Sequence, residues 1–186
     1  IDLHAHGTAG GDFLDEAPPL AAMTESFLRH GVTGVVPTLT VRPLDEFTDA
    51  TRRAAALCER PEARGMLLGV HCEGPFLNPE QAGGAPVEAF CEPSVGAFEQ
   101  LCEAGGDRLK VMTIAPELDG ACEVVRAAVE RGVVPSAGHT SATWDDTRAA
   151  VEAGLPLVTH LFNAMAPLHH RRLGALLAAL MMPELT

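Results

Sequence analysis

Three times in this chain a helical stretch stops at a glycine and an apolar run starts on the next residue: His30-Gly31-Val32, Arg131-Gly132-Val133 and Ala153-Gly154-Leu155. A glycine just past a helix end supplies the left-handed residue that closes the last turn. Strand, helix, glycine, strand, repeated, is the grammar of a parallel sheet with crossover helices. Hydrophobic patterning predicts strands at about residues 1–6, 32–38, 66–72, 109–114, 133–138 and 156–161, with helices near 17–30, 43–59, 93–104, 119–131 and 141–153. Right-handed crossovers leave two α/β architectures, a doubly wound sheet or a (β/α)8 barrel. Aromatic residues are only 4% of the chain, and small aliphatic residues supply its apolar share, which suits helices laid on such a sheet. No GxGxxG or GxxxxGK[ST] occurs, so the usual nucleotide fingerprints are absent.

Charge narrows the partners. With 13 Lys+Arg against 25 Asp+Glu, the net charge of -12 repels nucleic acid and anionic membrane alike. The longest apolar run, Leu173 to Pro183, is too short to cross a bilayer. The five cysteines, Cys58, Cys72, Cys91, Cys102 and Cys122, are odd in number and never spaced CxxC. Neither a disulfide framework nor a zinc knuckle is expected; free thiols in a reducing cytoplasm are.

In both architectures functional residues gather at the C-terminal ends of the strands. The first strand ends Asp2-Leu3-His4-Ala5-His6-Gly7, and alternation puts His4 and His6 on one face. The third ends His71-Cys72-Glu73-Gly74-Pro75, where a carboxylate follows an apolar run and is costly to bury unless paired or metal-bound. Cys72 has the opposite parity and reads as a buried thiol. His71 shares the parity of Glu73 and reads either as a supporting residue behind the site or as a hydrogen-bonded core histidine. The fifth and sixth strands end at His139 and His160. Four of the eight histidines, with Glu73, thus occupy the same end of four strands. Imidazole nitrogens with a carboxylate form a set that binds Zn²⁺ and leaves a position open. Such a site suits metal-dependent amide hydrolysis.

The motifs IDLHAHG, GVTGVVPTL, GVHCEGPFLNP, TIAPE, SAGHTSAT and THLFNAMAPLHHR occur in that order. Together they resemble the N-acetylglucosamine-6-phosphate deacetylases of the amidohydrolase superfamily, along essentially the whole chain. The resemblance implies a (β/α)8 barrel with a β-sandwich built from both chain ends. It also implies hydrolysis of N-acetylglucosamine 6-phosphate to glucosamine 6-phosphate and acetate. Glu73, His139 and His160 match the principal metal ligands, and His4 and His6 those of a second position. One or two ions are expected, Zn²⁺ first and Fe²⁺ as the alternative. Asn163, Ala164 and Arg171 match residues that meet the substrate's phosphate, with Arg171 acting across a homodimer interface. His169-His170-Arg171-Arg172 is also the densest basic cluster of an acidic chain, and a guanidinium suits bidentate phosphate binding.

Two departures qualify this reading. Where the family carries Gly-x-His-Pro against the scissile carbonyl, this chain has Gly83-Gly84-Ala85-Pro86, so Gly84 and Ala85 border the substrate without that donor. Loss of such a donor costs about 10²–10³ in rate. The family's acid–base Asp closes an eighth strand, and no residue here matches it; Asp2 occupies a different motif position and is expected to brace the first strand. Six βα units in place of eight suggest a barrel cut at both ends. The sandwich and strands seven and eight are then expected outside residues 1–186, and the acid–base Asp beyond Thr186. Two other readings stand beside the first. One is an amidohydrolase for a different N-acyl sugar or a cyclic amide; the other is a non-catalytic remnant that binds metal or sugar phosphate.

Overall fold

A computed structural model describes residues 1–186. In chain order it contains β1 (Asp2–Ala5), β2 (Gly7–Thr8), β3 (Gly11–Asp12), α1 (Leu20–Arg29), β4 (Val35–Thr40), α2 (Leu44–Leu57), β5 (Val70–Glu73), α3 (Val95–Gly105), β6 (Leu109–Ile114), α4 (Ala121–Glu130), β7 (Val134–Ala137), α5 (Trp144–Glu152), β8 (Leu157–Val158) and α6 (Ala175–Met181). Four single-turn 3₁₀ helices punctuate the loops.

The predicted glycine stops form three copies of one motif. After α1, Gly31 (φ 79°) donates to Leu28 O and Val32 to Phe27 O. After α4, Gly132 donates to Val129 O and Val133 to Ala128 O; after α5, Gly154 donates to Val151 O and Leu155 to Ala150 O. This is the Schellman pairing, which satisfies the last carbonyls and aims an apolar residue back at the core. Each helix is thereby turned sharply into the next strand.

Six strands form one parallel sheet in the order β1-β4-β5-β6-β7-β8, while β2 and β3 pair as a separate antiparallel hairpin. The sheet is strongly curled. Laid flat, its first and sixth strands would stand about 24 Å apart at normal strand spacing. Instead the rings of His4, on β1, and His160, just past β8, approach to 5.4 Å between centroids. The architecture is six βα units of a (β/α)8 barrel, coiled about a common lumen.

Alternation sorts each strand between two environments. Leu39, Cys72, Met112, Ile114 and Ala137 belong to a 33-residue core with Phe47, Phe98, Leu101, Val124 and Ala150 of the surrounding helices. The opposite parity faces the lumen and is polar near its C-terminal end. There Thr113 Oγ1 lies 2.7 Å from His71 Nε2 and 2.8 Å from Thr159 Oγ1, which lies 2.6 Å from Ser136 Oγ. His71 Nδ1 completes the belt on Leu3 O at 3.0 Å. The four side chains of the belt are all buried. Thr113→Val preserves shape but orphans His71 Nε2, and should cost about 1–3 kcal/mol. The midpoint of urea unfolding measures that loss, and an unchanged midpoint would contradict it.

Three expected strands shift, the sixth being paired only over Leu157–Val158 rather than 156–161. The second strand runs over Val35–Thr40 rather than 32–38, because the motif after α1 consumes Val32 and its neighbours. The third strand starts at Val70, later than expected, with only an isolated Val35–Leu67 bridge before it. The hairpin β2–β3 and helix α6 have no counterpart in the sequence reading. Gly7 makes the hairpin possible: a Cβ there would fall 2.0 Å from Gly11 O, against backbone that cannot retreat. All five cysteines are free, and burial pushes the Cys72 thiol up to about 12. No helix is long and apolar enough to cross a membrane.

Beyond α6 the chain returns to the sheet. The Thr186 N–H donates to Pro156 O at 3.0 Å, and the Val158 N–H donates to Thr186 O at 3.0 Å. Thr186 thus stands beside β8, in the place where a seventh barrel strand would begin. It shares a surface hollow with Leu3, Val36, Val134 and Leu157, outside the cavity that His4, His6, Glu73, His139 and His160 line. Thr186 is therefore a sheet-edge residue and not part of the site.

Candidate metal centre

Glu73 ends β5 and points up the lumen, buried. Four imidazoles converge on its carboxylate. His139 Nε2 lies 3.0 Å and His160 Nε2 3.1 Å from Oε1, with His4 Nε2 at 3.4 Å from the same oxygen; His6 Nε2 lies 3.3 Å from Oε2. Within this cluster His139 Nε2 and His160 Nε2 are 3.1 Å apart, and those of His4 and His6 3.3 Å. The residues divide into two overlapping triads able to hold a metal ion, His4–His6–Glu73 and Glu73–His139–His160.

The outer nitrogens show what the inner ones are for. His139 Nδ1 faces Gln81 O at 2.9 Å, His160 Nδ1 faces Asn163 O at 3.0 Å, and His6 Nδ1 faces Thr38 O at 3.1 Å. A carbonyl only accepts, so these Nδ1 atoms carry hydrogens and donate. In each neutral ring Nε2 then presents a lone pair inward. Three such lone pairs and a carboxylate are a set of acceptors aimed at one another, an arrangement that a cation relieves. The backbone carbonyls behind the rings fix orientation and tautomer, as the outer partners of metal-binding histidines do. The donor set therefore fits a divalent metal ion.

Electrostatics follow from the same contacts. Burial alone would raise the pKa of Glu73, but the imidazoles of His139, His160 and His6 packed against its oxygens together outweigh it and hold the carboxyl far below its usual range. The Glu73 contact raises His6. On His160, burial is the largest influence and lowers the pKa, but the contacts with Glu73 and with backbone together outweigh it and the net shift is upward. Burial lowers His4. His71, directly beneath His4 with ring centroids 5.1 Å apart, is pushed down to about 3, by burial first and by His4 second. Both of its nitrogens are satisfied by the belt, so it is a neutral core histidine that also underpins His4. Asp2 braces β1 as expected, accepting the His4 N–H at 3.0 Å.

The cluster floors a cavity of about 500 Å³, within the range of small-molecule sites. Its walls include Gly83, Gly84, Ala85, Asn163 and Ala164, all but Gly83 expected from sequence, and Thr40, which was not. Thr40 follows Thr38 on the same face of β4 and sets its hydroxyl 3.2 Å from His6 Nδ1. Glu73 is the sole carboxylate in this lining. Arg171 lies outside it, exposed in a tight turn where its N–H donates to His169 Nδ1. Backbone strain concentrates here: His139, His160, Phe162 and Ala164 all adopt positive φ without being glycine.

Known proteins place this geometry. No protein-family model matches the chain. An N-acetylgalactosamine-6-phosphate deacetylase of Escherichia coli O157:H7 is 37% identical over 181 residues, 97% of this chain and 48% of the relative. The N-acetylglucosamine-6-phosphate deacetylase of Bos taurus is 37% identical over 180 residues, 94% of this chain and 44% of the relative. The solved structure of N-acetyl-D-glucosamine-6-phosphate deacetylase from Mycobacterium smegmatis superposes with a TM-score of 0.93 at 33% identity, over 100% of this chain and 48% of that one. By sequence and by fold, the chain is similar to one half of the N-acetylglucosamine-6-phosphate deacetylases. It spans about half the length of the deacetylases it matches. A mutant of the Mycobacterium smegmatis deacetylase, solved in complex with N-acetyl-D-glucosamine-6-phosphate, superposes with a TM-score of 0.92 at 34% identity, covering 100% of this chain and 48% of that chain.

Proposed function

We propose that this chain supplies the metal-binding part of an enzyme that hydrolyses the acetamide of N-acetylglucosamine 6-phosphate, releasing acetate. The observation that carries the reading is the Glu73 carboxylate ringed by four histidine Nε2 atoms at the mouth of a curled α/β barrel. Glu73, His139 and His160 hold the principal ion, and His4 and His6 share Glu73 with a second. Zn²⁺ fits the donor set best, with Fe²⁺ the alternative. A divalent ion here supplies Lewis acidity to the acetamide carbonyl and acidity to a water molecule.

The chain's own groups define the remaining roles. Glu73 is held ionised by its histidines, so it is a ligand and cannot donate a proton to the leaving amine near neutral pH. No other carboxylate lines the cavity, so the reading calls for an acid–base group from outside this lining. Gly83, Gly84 and Ala85 shape one wall without a polar side chain, which leaves polarisation of the carbonyl to the floor of the site. Asn163 and the Ala164 backbone border the cavity as well and meet the sugar phosphate. Arg171, exposed and outside the wall, reaches phosphate in a neighbouring subunit of a cytoplasmic homodimer.

Acetate release from N-acetylglucosamine 6-phosphate, with and without its phosphate, tests the reading. A charge-assisted phosphate contact is worth about 1.5–3 kcal/mol, so Arg171→Ala should raise KM for the phosphosugar about 10–100-fold and leave the free sugar unaffected. Metal-loaded full-length protein that releases no acetate from either sugar would overturn the substrate assignment. The Escherichia coli relative favours a second reading, N-acetylgalactosamine 6-phosphate, which differs in the configuration of one hydroxyl. Comparing kcat/KM for the two phosphosugars decides between them.

A further inference from the structure

The TIAPE motif carries a carboxylate, Glu117, that does not reach the cavity. It lies just past β6, and both of its oxygens are engaged by neighbouring loops. Oε1 accepts from Asn78 Nδ2 at 2.8 Å and from the Ser141 N–H at 2.6 Å; Oε2 accepts from Thr140 Oγ1 at 2.5 Å. Asn78 belongs to the loop after β5, and Thr140 and Ser141 follow β7 directly after His139. Three strand ends are therefore joined through one side chain.

His139 lies inside this junction. Its carbonyl accepts from the Asn78 N–H at 3.0 Å, and its Nδ1 faces Gln81 O at 2.9 Å. Gln81 Nε2 in turn reaches Ser141 Oγ at 3.0 Å. Segment 78–81 and segment 139–141 thus form a short polar ladder, with Glu117 clamping it from the side. His139 needs the support: it is a non-glycine residue at φ 49°, a conformation that persists only where the surroundings over-determine it. The same segment leads into Gly83, where an added Cβ would lie 3.8 Å from His139 Cε1.

We infer that Glu117 is a positioning residue, which sets the His139 imidazole toward Glu73 by clamping the loops after β5 and β7 together. The inference rests on the metal reading of the site, to which it adds a supporting residue that touches neither ion nor substrate. A carboxylate suits the role because it accepts from three donors at once, which no neutral side chain does as well. Asn78 is its main side-chain partner, and its own Oδ1 is committed to the Glu80 N–H at 2.8 Å.

Four variants of the full chain test it: E117A, E117Q, N78D and the N78D/E117Q pair. Co²⁺ affinity is read by absorption titration, and the ring nitrogens of His139 by ¹⁵N chemical shift. Loss of such an outer partner typically costs 10–100-fold in metal affinity, so E117A should weaken Co²⁺ binding by roughly that factor. E117Q keeps a carbonyl oxygen for Asn78 and Ser141 and should lose less. N78D sets two carboxylates face to face and should weaken binding; adding E117Q removes one of the two facing charges and should restore it in part. This reciprocal rescue decides the matter even if E117A fails to fold. Unchanged affinity and unchanged ring shifts in all four variants, with only a lowered melting temperature, would overturn the inference. If the wild type takes up no Co²⁺, the metal reading itself fails, and the ring shifts decide alone. A His139 Nδ1 signal moved by the N78D substitution and returned by the pair supports the clamp; a signal that never moves overturns it.

Discussion

Glu73→Gln is expected to abolish metal binding at both triads while leaving the fold intact. The carboxylate is the one ligand the triads share, so its loss removes the anionic partner from each. The replacement is nearly the same shape. Its amide hydrogens point at imidazole nitrogens that otherwise face an acceptor, so the metal-free variant should melt no lower than the metal-free wild type. Lewis-acid stabilisation by a bound ion is worth several kcal/mol. At about 1.4 kcal/mol per factor of ten, its loss is on the order of 10³-fold in rate. Metal content by elemental analysis, melting temperature and acetate release together check the claim. A variant that keeps its full metal complement would show that the histidines suffice and that Glu73 is not the bridge.

Removing the ion from the wild type should have the second-largest effect, on stability. The lone pairs of the cluster repel one another and the carboxylate when nothing positive lies between them. A ligand that binds only the folded state, present at about a thousand times its dissociation constant, contributes about 4 kcal/mol. For a chain of this size each kcal/mol moves the melting temperature roughly 2–4 °C, so chelation should lower it by roughly 8–16 °C. Thermal melts with chelator, and after restoring Zn²⁺, measure the change. The Glu73→Gln variant is the control, since chelator should leave it unmoved. Coincident melts of the wild type with and without chelator would contradict the metal assignment.

The convergence of His4, His6, Glu73, His139 and His160 was legible in the sequence because two simple rules locate it. Parity on a strand gives the face, and the parallel topology gives the end. Thr40 escaped because the apolar run of the second strand suggested an end at residue 38, whereas Thr40 is paired with Glu73 across the sheet. The hairpin β2–β3 escaped because strands of two residues leave no periodicity to read. Helix α6 was visible only as an apolar run; its buried Ala175, Leu176 and Ala178 acquire meaning from packing on α5. His71 was open between a core and a supporting role. The structure shows it in both, because the next position below Glu73 on the lumen face reaches the hydroxyl belt under His4. Glu117 was readable as part of a motif but not as a clamp. Its partners come from two other loops, 39 and 24 residues away, and no local pattern announces such bonds.

The curl of the sheet also dictates an order of assembly. Each βα unit makes its contacts mostly with the unit beside it, and these can form early. The cluster around Glu73 is different: it draws on His160, 87 residues downstream, and on β1 at the other margin of the sheet. Closing so long a stretch of chain carries an entropic cost that only the intervening units, already in place, can reduce. The metal cage is therefore the last part of this curled sheet to become complete, and an ion that binds it reports that every unit between the margins has folded.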